Sequence, residues 1–351
     1  MRIRIILPSF VLPLCLLGLL FGVSPMHAGA SSQGKDQVTA TQLAAALEAQ
    51  RQAAALMTRG ESAQQRFQEL SAKLQRAKAV RVIVRLRVAW RPEGAIQQAA
   101  ELLAQRAVIR QAQDELLNSV HLHNPNSIKR FKYLPDIAFS VDAAELEALR
   151  SAPQVMNIQE NRFLKVAQAL PPSITLIGAP NAWASGYTGA GKTIAILDTG
   201  VDKTHSSLAQ KVVSEACFST DADDFHIRSL CPGRVTESIA PGSGVNCTEE
   251  TAGGTFSDCT HGTSVAGVAV GVAKEANLIS IQVGSLVTQD DDPEGPCGGE
   301  APCIRIVEAD LMKGLDHVHD LAQPPFNYSI ASANVGLSLD KNKVIAHGLD
   351  G

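Results

Sequence analysis

The sequence predicts an α/β protein: a parallel sheet with helices on both faces, preceded by a smaller α+β unit of ferredoxin-like strand order. Three observations carry this expectation. Thr193-Ile-Ala-Ile-Leu197 and Asn277-Leu-Ile-Ser-Ile-Gln-Val283 read as buried strands on either side of a small-residue helix, Ser264–Val272. Strands alternating with helices build parallel sheets. Residues 80–166 read β-α-β-β-α-β. The third is composition: 351 residues, 45% hydrophobic and 19% charged. That is enough for two domains, and it excludes a disordered chain, a collagen-like repeat and a coiled-coil rod.

The elements follow in order. Arg2 and Arg4 precede an apolar run from Ile5 to Val23, which ends in Ala28-Gly29-Ala30. Pro8 and Pro13 within the run, and the absence of a basic stop-transfer cluster after it, favour a cleaved signal peptide over a membrane anchor. Residues 31–79 form a helical spacer broken near Gly60, with Leu43, Leu47, Phe67, Leu70 and Leu74 at helical spacing. From Val80 to Val88 apolar and basic residues alternate as in a half-buried strand. A helix follows over about Ala95–Val120. Two short strands, Ile128–Tyr133 and Ile137–Val141, flank Pro135. Asp142 is placed to cap a helix over Ala143–Arg150, which Pro153 stops. Val155 to Val166 supplies a last extended segment. Ala169-Leu-Pro-Pro-Ser173 forms an exposed linker. The expected organisation is therefore signal peptide 1–30, spacer 31–79, α+β unit 80–168 and α/β unit 171–351.

Charge is divided between the two halves. Residues 31–170 carry +6 and residues 171–351 carry −12. The basic half has no dense Lys/Arg patch, so no nucleic-acid partner is expected. Opposite fields suit two segments that dock on each other. With Cys15 in the signal, six cysteines remain, all in the acidic half: Cys217, Cys231, Cys247, Cys259, Cys297 and Cys303. An even count in an exported chain reads as three disulfides, formally with 15 connectivities. Their order along the chain favours the pairs 217–231, 247–259 and 297–303. A zinc site fits poorly, because no Cys-x-x-Cys occurs.

Several motifs suggest chemistry. Gly186-Tyr-Thr-Gly-Ala-Gly-Lys192-Thr193 matches the phosphate-cradling loop G-x-x-x-x-G-K-[ST]. That loop must follow a strand and open a helix. Here residues 179–185 are helical in pattern and 193–197 a strand, so the motif reads as a glycine-rich turn. Asp198, in Ile-Leu-Asp198-Thr-Gly, sits at the carboxyl end of a buried strand, where open α/β sheets keep their sites. Cys259-Thr-His261-Gly-Thr-Ser264 places an imidazole at a helix N-terminus. Asp198 could hold its Nδ1–H and fix the tautomer. Asp290-Asp-Asp-Pro-Glu294 could take calcium but reads as a solvated loop; no cofactor and no metal is expected. His317 and His319, at i and i+2, read as surface residues.

Together, Trp183–Gly191, Ile194–Asp202 and His261–Gly271 resemble the subtilisin-like serine peptidases. The resemblance spans about residues 176–284, more weakly to 338. It implies that Asp198 is the orienting aspartate and His261 the general base, acting on a polypeptide substrate. Ser332-Ala-Asn334-Val-Gly336-Leu337-Ser338 resembles the family strand that pairs with substrate backbone, so Gly336 and Leu337 become candidate substrate-binding residues. Residues 80–166 are similar to the family's inhibitory propeptide, a partner the chain supplies to itself, with processing expected near Leu170. The family's nucleophile follows the His by roughly 150 residues. Only 90 residues follow His261, and they contain no Gly-Thr-Ser-x-Ala-x-Pro. Ser264 mimics part of that motif but lies within the His motif.

The expectation is an exported endopeptidase precursor, secreted or periplasmic and free of the membrane after signal cleavage. It is C-terminally incomplete, lacks the Ser nucleophile and so is inactive as it stands. The rival is a catalytically dead binding or inhibitory module derived from a peptidase. A homodimeric aspartic peptidase built on Asp198 is disfavoured by the companion His261 motif. The gene beyond codon 351 separates the first two: Gly-Thr-Ser-x-Ala there marks a peptidase, and an authentic stop marks the module.

Overall fold

The computed structural model describes residues 63–338, apart from 167–173, 175–176, 249–251 and 255. The apolar run Ile5–Val23, the linker Ala169–Ser173 and the expected processing point near Leu170 lie outside the described residues.

The first unit is a four-stranded antiparallel sheet. Its strands are β1 (Val80–Leu86), β2 (Lys129–Arg130), β3 (Asp136–Val141) and β4 (Val155–Glu160), in the order β2-β3-β1-β4. This is the ferredoxin-like order expected from the sequence. Three helices accompany it: α1 (Ala63–Leu74), α2 (Ala99–Ser119) and α3 (Ala143–Ser151). Alternation along β1 sends Val80, Val82, Val84 and Leu86 into one core with Leu116, Leu146 and Leu149. Leu70 of α1 joins that core, so this part of the expected spacer packs rather than standing in solvent. Asp142 caps α3 as its spacing predicts. Its side chain accepts the Glu145 N–H at 2.8 Å, and the Glu145 carboxylate accepts the Asp142 N–H at 2.7 Å.

The second unit is a sheet in the order β13-β6-β10-β7-β9. Its strands are β6 (Thr193–Asp198), β7 (Val212–Phe218), β9 (Glu237–Ser238), β10 (Asn277–Gln282) and β13 (Ile330–Val335). The four long strands run parallel, and short β9 is antiparallel. All six residues of β6 are buried, as expected of a central parallel strand. Ile194 and Ile196 pack beneath helix α5 (His261–Val272). Ala195 and Leu197 face the cluster of helix α6 (Glu308–Leu321), so helices cover both faces. Helix α4 (Ala179–Ala184) precedes the glycine-rich turn, which enters β6 as a surface turn and not as a phosphate loop. Within β13, the edge strand of this sheet, residues 331–335 are exposed.

A third, antiparallel sheet, β14-β5-β12-β11-β8, links the two units. It comprises β5 (Phe163–Val166), β8 (Ile227–Ser229), β11 (Gly284–Val287), β12 (Cys303–Val307) and β14 (Leu337–Ser338). Here the expected single extension Val155–Val166 is corrected. It breaks at Asn161 and Arg162, and its second half leaves the first sheet to lie between β12 and β14. The face of β1 that carries Arg81 and Ile83 is covered as well. Ile83, Phe131 and Ala138 share a cluster with Val307, Ala309 and Met312. Basic and acidic halves meet along this seam, as the charge split predicts. Lys129 pairs with Asp310, Lys132 with Asp320, and Arg162 with Glu308 at 3.5 Å. The exposed pairs stabilise little. Lys129–Asp310 differs because Asp310 is fully buried and also accepts a hydrogen bond from Thr220 at 2.8 Å.

His317 and His319 are not surface residues. The Phe218 ring lies 5.8 Å from that of His317, and Tyr133 lies 4.1 Å from His319. Both rings are half-buried because α6 packs between the two units, and burial holds their pKa values below the ordinary imidazole range.

Candidate active site

The site is built at the carboxyl end of β6. Even-numbered residues of this strand face α5, so Asp198 points the same way as Ile194 and Ile196. It is fully buried. His261 is the first residue of α5, slightly earlier than the sequence pattern placed the helix start. Its Nδ1 lies 2.8 Å from Asp198 Oδ1. The same oxygen accepts the Thr199 N–H at 2.8 Å. The carboxylate is thus fixed by backbone before it meets the imidazole, and the imidazole ring is set by the carboxylate.

Close approach of β6 and α5 requires glycine at 262. A Cβ there would lie 2.3 Å from the Gly200 carbonyl oxygen and 3.1 Å from Asp198 Cβ. Thr199, quoted in the sequence motif without a role, joins the two elements. Its hydroxyl accepts the Gly262 N–H at 3.2 Å and donates to the Asp258 carbonyl at 2.7 Å. Asp202 N–H donates to Thr263 Oγ1 at 2.8 Å, a second tie across the same junction. The disulfide Cys247–Cys259 anchors the turn two residues before His261. The other bridges are Cys217–Cys231 and Cys297–Cys303, so all three locally favoured pairs are formed.

Gly336 stands against the pair. Its missing Cβ would lie 2.8 Å from Asp198 Oδ2 and 3.3 Å from His261 Cε1. Leu337 is half-buried beside the α6 cluster and pairs with Val166, while Ser338 pairs with Lys165. On the other side of β5, Ile306 pairs with Leu164 and Val307 with Phe163. An extended segment of the chain itself, β5, therefore lies between β12 and the strand that directly follows Gly336. Leu164 is buried in the core of the α/β unit, whereas Phe163 packs with Ile83 and Val307 on the seam. The sequence reading singled out Gly336 and Leu337 on one side of β5, but neither β12 on the other side nor the four residues between them.

Ser264 is exposed on α5 with its hydroxyl donating to the Thr260 carbonyl at 3.1 Å, turned back on its own helix. The Asp290 carboxylate accepts backbone N–H groups of Asp292 and Cys297, which folds the acidic loop on itself. His123, Asp142 and Glu145 come within ligand distance of one another, but the two carboxylates are engaged as the caps of α3. Among the described residues no helix is long and apolar enough to cross a membrane.

Comparison with known proteins finds the following similarities. Residues 189–311 match the subtilase family. Subtilisin E of Bacillus subtilis (strain 168) is 33% identical over 81 residues, covering 23% of this chain and 21% of that protein. Alkaline elastase YaB of Bacillus sp. (strain YaB) is 30% identical over 98 residues, 28% of this chain and 24% of its own length. The chain thus spans about a fifth to a quarter of these relatives. Among solved structures, fervidolysin from Fervidobacterium pennivorans, a keratinolytic enzyme related to subtilisin, overlaps 74% of this chain and 36% of its own. The TM-score is 0.38 and the identity 14%.

Proposed function

We propose that the chain, whose residues 189–311 match the subtilase family, is the precursor of an exported serine endopeptidase. In this reading the reaction is acyl transfer from a peptide carbonyl to a serine and then to water. His261 takes the proton from the nucleophile and returns it to the leaving amine. Asp198 holds the tautomer and stabilises the imidazolium. The serine itself is not among these 351 residues, so the chain as given does not turn substrate over. Removing one triad member leaves binding but little chemistry.

Residues 80–168 are the inhibitory propeptide, with processing near Leu170, and 171–351 the peptidase unit. Residues 1–30 direct export to a secreted or periplasmic location. The substrate is a polypeptide that adds as a strand along Gly336 and Leu337, where β5 now lies. The observation that carries the reading is the 2.8 Å contact of His261 Nδ1 with Asp198 Oδ1, with β5 lying between β12 and β14.

The test is fluorophosphonate labelling of exported, oxidised protein, read by intact mass. The expected result is no adduct, loss of residues 1–30, and a mass short of six hydrogens for three disulfides. An adduct mapped to Ser264, or to any other serine of this chain, would overturn the assignment of an absent nucleophile.

A further inference from the structure

We propose that the cavity between β1 and the N-terminal half of α6 binds one small tetrahedral oxyanion of the inorganic phosphate or sulfate class, held by the Arg81 guanidinium. The cavity has a volume of about 300 Å³. One wall comes from the basic half of the chain, with Arg81, Asn126, Lys129 and Arg130. The other comes from the acidic half, with Thr220 and Lys313. None of Asp198, His261 and Gly336 lines it.

Charge accounting singles out Arg81. Lys129 is engaged by Asp310, Arg130 by Asp114 at 2.7 Å, and Lys313 by Glu237 at 3.3 Å. Two acidic residues line the cavity, Asp221, engaged by Arg234 at 2.8 Å, and Glu237, engaged by Lys313. Arg81 Nη1 is buried and has no hydrogen-bond partner among the described residues. The guanidinium lies 4.0 Å from the Phe163 ring centroid and 5.5 Å from that of Phe225. The rings hold its plane without supplying an acceptor. Burial pulls its pKa down to about 10, which still leaves it cationic at neutral pH. Glu160 and Asp310 act on the guanidinium through their charge, but Nη1 keeps a donor without an acceptor, which is unfavourable, and an oxyanion supplies that acceptor.

The geometry favours a tetrahedral ion over a carboxylate. Side chains that carry donors line the cavity from both halves of the chain, and a tetrahedral ion accepts in several directions where a carboxylate accepts at one end. Because the walls belong to different halves of the chain, the bound ion bridges them and stabilises their docking.

The experiment is calorimetric titration of the full-length oxidised chain with sodium phosphate and with sodium sulfate. Succinate and chloride at matched ionic strength are the comparison arms, and melting is followed in parallel. The expected result is one saturable site for phosphate or sulfate, with a raised melting temperature that chloride does not reproduce. Arg81→Gln is expected to weaken binding at least tenfold, and Arg87→Gln, an exposed arginine just beyond β1, to leave it unchanged. No saturable uptake by the parent chain would overturn the proposal, and so would undiminished binding by Arg81→Gln. Succinate binding as tightly as phosphate would overturn the tetrahedral class. If Arg81→Gln does not fold, Arg81→Lys retains the charge without the fork, and the same tenfold loss is expected there.

Discussion

The side-chain oxygen of Asn161 accepts the backbone N–H of Ala309 at 3.0 Å. One residue away, Arg162 offers its carbonyl to the Glu308 N–H at 2.9 Å. Helix α6 has Val307 at its cap position and no side-chain cap of its own. Its first exposed donors are therefore satisfied by the turn between β4 and β5, a segment of the other unit. The residues that carry the chain from β4 into β5 are the same residues that finish the start of α6.

This gives a first prediction. Asn161 is buried, so Asn161→Ala leaves the Ala309 N–H without an acceptor. The expected loss is about 1–3 kcal/mol, read as a lower urea midpoint with an unchanged slope. Asn161→Asp keeps an acceptor at a helix N-terminus and is expected to recover most of the loss. A midpoint unmoved by the alanine variant would refute the capping role.

The second concerns Gly336. An alanine methyl would fall 2.8 Å from Asp198 Oδ2 and 3.3 Å from His261 Cε1, closer than packed atoms tolerate. Gly336→Ala should therefore displace the imidazole and destabilise the chain by about 1–3 kcal/mol. The readout is the histidine region of the NMR spectrum. His261 ring signals should shift while those of exposed His121 and His205 stay in place. An unchanged His261 signal would show that the strand does not press on the pair.

The third is a pH dependence. Burial pushes the Asp316 carboxyl up to about 6, against a smaller opposing effect of the Lys132 N–H it accepts at 2.7 Å. Between the ordinary carboxylate value near 3.8 and about 6, the folded chain holds a proton that the unfolded chain has released. Stability from this group therefore falls as pH rises through that window, by about 3 kcal/mol in all. His317 and His319, held low mainly by burial, tilt the other way and lose stability on acidification. Asp316→Asn keeps an acceptor for Lys132 and removes the titration. Relative to the parent, it is expected to gain about 2–3 kcal/mol at pH 8 over its effect at pH 4. Equal differences at both pH values, in urea unfolding, would refute this.

Much of this molecule was written locally. Alternation along Val80–Leu86 specifies a strand by its period, and the short run Thr193–Leu197, rich in β-branched residues and preceded by a glycine-rich turn, specifies one by its composition. Asp142 three residues before Glu145 specifies a capping box, and neighbouring cysteines specify short bridges. Asp198 and His261 were legible because strand-end and helix-start positions are set by local pattern, and two-residue alternation turns Asp198 toward α5.

What the tertiary structure decided has one common character: it depends on a partner distant in the chain. Phe163–Val166 has the pattern of any extended segment, and that pattern does not say whether it continues β4 or lies between β12 and β14. The pairing of the Arg81 face with α6, and with it the burial of His317 and His319, likewise appears only when the two units dock. Backbone propensity and periodicity act over a few residues, whereas burial is a property of whichever surface arrives to cover a face. The sequence by itself therefore determined the strands of the first sheet, β6 and β10, the cap of α3 and the positions of Asp198 and His261. Only packing between the halves determined which segment lies between β12 and β14 and which charges lost their water.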